Sequence, residues 1–320
     1  MCMDRRSRTK LLAKCGALLL AVTFGSAGSG SAGEERADGS QPPPLPAIEL
    51  PPPPPDPEGV SQAREASRRI RSGDYQGALP LYREAWDKGV KSENSTYNAA
   101  CAAAVTGHPD EAFVWLGRAA AAGWRDADLL ETDTDLDSLR DDPRFTAIVQ
   151  KVEANAGRFD KENNAELRAL VEADQAARRR DMSEISDAER QALWKRIVAD
   201  DAARRARIAE IVAAGGAKTG EDYFAAALVY KHGDQLDDFA KAREYAAKAV
   251  ELGNERGRWL AAAAWDRWLV NAGYPQRFGT QYACNPDCKL EEWDESTTDE
   301  ERARWNVPPI EEAKRQTFGK

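Results

Sequence analysis

The sequence predicts an all-α protein in which stacked helical hairpins are followed by a second helical domain. Three observations lead there. Small and bulky residues recur at an offset of 34: Gly73 as Gly107, Ala78 as Ala112, Tyr82 as Leu116 and Ala85 as Ala119. That is the period of a helix–turn–helix unit in which small side chains let two helices approach and large ones fill the groove between them. Alanine runs at Ala99, Ala100 and Ala102 to Ala104, and again at Ala261 to Ala264, favour helix, and β-branched clusters are few. Glycine-led turns at Gly73-Asp74, Gly107-His108, Gly215-Gly216 and Gly273 break the chain into helix-length pieces. With 320 residues, 42% of them hydrophobic, the chain is long enough for two domains with a core each, and almost no sheet is expected.

Residues 1–33 read as a secretory signal peptide. Arg5, Arg6, Arg8 and Lys10 form a positive start, residues 11–24 are mostly apolar apart from Lys14, and Gly25-Ser26-Ala27 or Ser31-Ala32-Gly33 offers small residues for cleavage. The alternative is a retained anchor, for which the apolar run is short. Cys15 precedes the apolar core, which does not suit a lipoprotein. Losing this segment moves the net charge from −9 to −13, and an acidic chain is repelled by phosphate backbones, so nucleic acid is not an expected partner. The expected location is periplasmic or extracellular, with no membrane insertion beyond the signal segment.

Residues 34–59 carry Pro42 to Pro44, Pro46, Pro51 to Pro55 and Pro57, a stiff extended linker that can also serve as ligand for an aromatic-lined groove. The first folded domain is expected over 60–158. Helices are predicted over 60–71 and 75–88, with Ala78, Leu79, Tyr82, Ala85 and Trp86 facing inward, then over 95–106 and 110–122. Pro109 suits a first helical turn, and Asp110 and Glu111 suit its positive end. His108 reads as a solvated turn residue and Cys101 as a small core residue. Gly73-Asp74-Tyr75-Gln76-Gly77-Ala78-Leu79 and Gly107-His108-Pro109-Asp110-Glu111-Ala112-Phe113 carry a resemblance to the tetratricopeptide repeat, which implies a curved helical array that binds a protein or peptide along a groove.

The acidic stretch 133–142 lacks the glycine and terminal glutamate of a calcium loop, so no metal is expected. The run Leu136-x-x-Leu139-Arg140-x-Asp142-Pro143-Arg144-Phe145 resembles the short helical tail that closes the last hairpin in bacterial tetratricopeptide proteins. Leu136, Leu139, Phe145, Ile148 and Val149 would form its buried side.

The second domain is expected over 161–320. A helix carries Leu167, Leu170, Val171 and Asp174. Ser186 or Asp187 caps another running to Val212, and Thr219 with Asp222 starts a third. His232-Gly233-Asp234 turns the chain into a helix at 239–252, and a tryptophan-rich helix follows at 258–271. Gly273-x-Pro275-Gln276-x-Phe278-Gly279-Thr280-Gln281, after Asp266-Arg267, together with Asp174-Gln175 and His232-x-Asp234, resembles an uncharacterised bacterial family, a domain of unknown function. The chain departs from that pattern at 215–218 and at 283–293.

Two readings of these polar residues stand. His232, Asp234, Asp266, Arg267, Gln276, Thr280 and Gln281 converge on one pocket, where an imidazole oriented by a carboxylate acts as a base and Arg267 or Gln281 holds an anion or amide. Alternatively, Asp266 pairs with an arginine, and Gln276 and Gln281 satisfy backbone groups of a buried loop. No nucleophile motif accompanies them, so no catalytic residue and no cofactor is assigned. Cys284 and Cys288, separated by Asn-Pro-Asp, are candidates for a disulfide closing a tight turn. The leading functional expectation is a scaffold or adaptor that binds a protein or peptide partner through the repeat groove. The alternatives are an envelope enzyme, a small-ligand-binding protein, or repeats that only brace the second domain.

Overall fold

A computed structural model describes residues 48–54, 57–179, 185–284 and 288–315. The signal segment, most of the proline linker and the Asn285-Pro286-Asp287 turn lie outside these. Among the described residues the chain is all-α apart from one short β-hairpin, and it divides into two compact units, 54–161 and 162–320, with the segment just before Pro54 belonging to the second. Among the described residues no helix is long and apolar enough to cross a membrane.

The first unit opens with α1 (Val60–Ser72) and α2 (Tyr75–Asp87). Ala63, Ala66 and Ile70 fall at helical spacing and form the buried stripe of α1. The helix ends at Gly73, whose φ of 83° closes its last carbonyls, and Asp74 caps α2 by accepting from the Gly77 amide at 2.8 Å. The second hairpin repeats the device: α3 (Glu93–Val105), Gly107 at φ 79°, then α4 (Pro109–Ala121) with Pro109 in its first turn. Thr96, Tyr97 and Ala99 to Ala104 bury nearly the whole circumference of α3, because alanines let the neighbouring helices close on it.

The acidic stretch is cap and cover. Asp126 caps α5 (Ala127–Thr132), and Asp133 caps a 3₁₀ turn over Thr134–Leu139. Tyr97 donates to Asp133 at 2.9 Å, Tyr75 donates to Asp135 at 2.7 Å, and Arg140 donates to the Asp133 carbonyl at 2.6 Å. The Tyr97 face of α3, which two bare hairpins would leave to a partner, is thus taken by the chain's own 133–139 segment. Then α6 (Pro143–Glu162) runs alongside α4 in the same direction, held at one end by Arg144 on Asp110 (2.8 Å) and at the other by Asn155 on the carbonyls of Ala120 and Trp124 (2.8 Å each). Leu136, Leu139, Phe145, Ile148 and Val149 are buried beneath this cap.

The second unit contains α7 (Ala165–Arg178), α8 (Asp187–Ala213), α9 (Gly220–Tyr230), α10 (Leu236–Glu251) and α11 (Arg256–Asn271). Ser186–Glu189 and Thr219–Asp222 form reciprocal capping boxes, and Asp222 also accepts from the Asn164 amide at 2.7 Å, tying the start of α7 to that of α9. Helix α10 starts three residues earlier than its apolar pattern suggests, because Asp238 accepts from the amides of Asp234 and Gln235 and adds a first turn. Gly257 lets α11 approach α10: a Cβ there would stand 2.4 Å from the Ala246 carbonyl oxygen. After α11 come the loop 274–281, an antiparallel pair β1 (Tyr282–Cys284) and β2 (Cys288–Leu290), and two short helices, α12 (Asp299–Arg304) and α13 (Ile310–Lys314). Cys284 and Cys288 face each other across the hairpin and are bonded. Trp305 packs on Trp265 and Phe278, fixing the C-terminal segment to α11.

Candidate functional sites

Most of the polar residues singled out in the second unit do assemble, in a different arrangement from the expected one. Asp266, fully buried on α11, has no arginine partner. Oδ1 accepts from the amides of Arg277 (2.7 Å) and Phe278 (2.9 Å), and Oδ2 accepts from the amide and hydroxyl of Thr280 (3.0 and 2.7 Å). The carboxylate therefore folds the glycine-containing loop around itself. Burial pushes it up to about 6 even though the four hydrogen bonds favour its charged form. Gln276, also fully buried, donates to the carbonyls of Gln281 (2.9 Å) and Glu291 (3.0 Å) and accepts from the Gln281 amide (2.7 Å). For Asp266, Gln276 and Thr280 the structural role is complete.

Gln281 links this loop to the rest of the cluster. Its amide donates to the Ala263 carbonyl at 3.2 Å, and its oxygen accepts from Arg267 Nε at 3.0 Å. Arg267 in turn donates from Nη1 to the Lys231 carbonyl at 3.1 Å. His232, next in the chain, turns away from Asp234 and binds Asp174 of α7 through Nδ1 at 3.0 and 3.2 Å. Asp234 lies exposed and meets Arg205 at 3.5 Å, so it is no part of the cluster.

Arg178 and Asp201, which the sequence did not single out, complete the His232 side: Arg178 bridges Asp174 and Asp201 at 2.5 Å each, with all three side chains buried. Burial would raise the Asp174 carboxyl, but the His232 hydrogen bond and the charge of Arg178 hold it below its ordinary value. An ionised carboxylate only accepts, so His232 carries its proton on Nδ1 and leaves Nε2 as an acceptor. Burial pushes the imidazole down to about 4, against the pull of Asp174, and it is neutral at pH 7.

Lys231 was also missed. It is 5% exposed, closes the apolar α9, and lies 4.7 Å from the centre of the Trp259 ring. Burial, with the nearby charges of Arg267 and Arg178, pushes its amine down to about 7. The one available signal was its place directly after the apolar run 225–230 and one turn beyond Ala227. No cluster of three or more His, Cys, Asp or Glu side chains able to hold a metal occurs among the described residues.

In the first unit an open groove of 440 Å³ lies between α2 and α4, lined by Arg83, Trp86, Val114, Trp115 and Arg118 with Asp87, Asp110 and Glu111 at its edges. Trp86, expected to face inward, is only half-buried, because its ring straddles the core and the groove. Trp86 and Trp115 meet edge to face at 5.6 Å, and the Arg118 guanidinium lies over both, at 4.2 and 4.3 Å. Arg83 is neutralised by Glu111 in a two-point pair at 2.7 and 2.5 Å, whereas Arg118 has no carboxylate partner among the described residues. Val114, 52% exposed, adds an apolar side chain to the wall. No family model, curated protein or solved structure matches this chain.

Proposed function

We propose that this chain is an exported helical-repeat protein whose first unit docks a short segment of a partner protein. The observation that carries the reading is the α2–α4 groove, where an exposed valine and two tryptophans surround an arginine whose charge no carboxylate among the described residues answers. Rigid aromatic surface and arginine are the side chains that dominate protein recognition. The occupant that fits is an extended segment with a proline or aliphatic side chain against Trp86 and Val114 and a carboxylate against Arg118. It binds on the α2–α4 side, since the Tyr97 face of α3 is covered by residues 133–139. Export rests on the residue pattern of 1–33 and is supported by the Cys284–Cys288 bond, which persists in oxidising compartments. The second unit is of the kind suggested by its Gly273-to-Gln281 motif, with that motif serving as a scaffold around Asp266 and Gln276.

A photo-crosslinking residue at Val114 in the full-length chain, expressed in its own host, tests this. The expected result is one discrete adduct whose crosslinked peptide contains an acidic residue beside a proline or aliphatic one, lost in Arg118→Glu. An adduct unchanged by Arg118→Glu, or no adduct above that from a crosslinker at exposed Arg64, overturns it.

A further inference from the structure

We propose that Lys231 and Arg267 in the second unit form a binding site for the oxyanion of a small molecule, a carboxylate or a phosphate. This site is independent of the groove in the first unit. Lys231 Nζ makes no hydrogen bond and no ion pair among the described residues although the residue is 95% buried, and Arg267 has no carboxylate within ion-pair distance there.

An ammonium group largely withdrawn from water with no carboxylate beside it is destabilising, and several other buried cations of this unit do have a carboxylate. Arg178 pairs with Asp174 and Asp201, Arg205 with Asp234 and Asp238, Arg258 with Glu255, and Arg302 with Asp299. The acid whose charge reaches Lys231, Asp174, is committed to His232, Arg178 and Gln175.

Arg267 is held by two contacts. Arg267 is clamped by Gln281 on one side and by the Lys231 carbonyl on the other, which brings its guanidinium to the residue that carries the amine. Arg267 and Trp259 are partly exposed, giving an approach from solvent, while Lys231 is buried. His232 is neutral and contributes no competing charge. A buried amine pushed down to about 7 is half-protonated at neutral pH, and an arriving anion holds it protonated. The residues on offer are one arginine and one lysine beside an aromatic ring, so the ligand class is a small oxyanion met by two cationic donors.

The test is thermal unfolding and calorimetric titration of the full-length mature chain at pH 7 in low-chloride buffer. Inorganic phosphate and acetate are used in separate arms, to distinguish a phosphoryl from a carboxyl ligand. A saturable rise in Tm with one of the two is expected. Lys231→Met should raise the ligand-free Tm and abolish the response. Arg267→Gln should weaken the apparent Kd at least tenfold, and it provides the test should Lys231→Met fail to fold. Asp234→Asn, an exposed neighbour outside the site, should respond like the parent chain. The absence of any saturable shift with either anion up to tens of millimolar overturns the proposal, as does a response that survives Lys231→Met or Arg267→Gln.

Discussion

At the scale of single residues, Lys231 makes the sharpest stability prediction. Its amine titrates at about 7 in the folded chain and at 10.5 in the unfolded one, so between those values the unfolded chain binds the extra proton and stability rises with pH. Up to about 1.4 kcal/mol per pH unit is expected from this group at midrange. The groups facing it are Asp174 and Arg178 from α7, His232 beside it, and Arg267 and Trp259 from α11; Asp174 and His232 titrate below this range, and Arg267, pushed down to about 10, enters it only at the upper end. Urea unfolding at pH 7.5, 8.5 and 9.5 should show this rise in the parent chain, and it should vanish in Lys231→Met, whose stability at pH 7.5 should be higher by about 1–3 kcal/mol. An equal slope in both proteins contradicts the burial of that amine. Such residues were only half legible in the sequence. Asp266, Arg267, Gln276, Thr280 and Gln281 stand close together in the chain and could be grouped by motif. The partner of His232 is 58 positions away on α7, and local spacing left its carboxylate unassigned.

At the scale of elements, the repeats were readable because backbone geometry demands it: Gly73 and Gly107 both adopt left-handed φ values that few other residues tolerate, and the alanines sit where helices touch. The cap was readable too, from its leucines. What spacing could not show is the chain's own turn covering α3, since that depends on Tyr97 meeting an aspartate 36 residues later. Nor did periodicity draw attention to Pro80, which lies inside α2 on its exposed side. A proline there removes the bond to the Gln76 carbonyl and crowds it, a cost of up to about 3 kcal/mol in a helix interior. Pro80→Ala, measured by thermal and urea unfolding of the full-length chain, is expected to stabilise the first unit by about 1–3 kcal/mol with no change in groove crosslinking. A loss of stability would mean that Pro80 makes a contact beyond its helix.

At the scale of the whole molecule, export and the disulfide bear on one another. The bonded pair closes a loop of only four positions, so in the chain-entropy picture it contributes about 2 kcal/mol at most, too little to decide whether the unit folds. Its local effect is larger in consequence. The β1–β2 pairing continues into the bond from the Glu291 amide to the Gln281 carbonyl, and Gln281 carries the acceptor that clamps Arg267. An oxidising compartment therefore favours a preset Arg267, whereas a reduced chain should remain folded with a looser hairpin. Chain purified from its host is expected to begin after the 25–33 region and to leave Cys284 and Cys288 unreactive to alkylation until a reductant is added. Reduction should lower the unfolding free energy by no more than about 2 kcal/mol while weakening the oxyanion response. Recovery of intact Met1 with both thiols open to alkylation would place the chain in a reducing compartment, and the hairpin would then have to hold Gln281 by its backbone bonds alone.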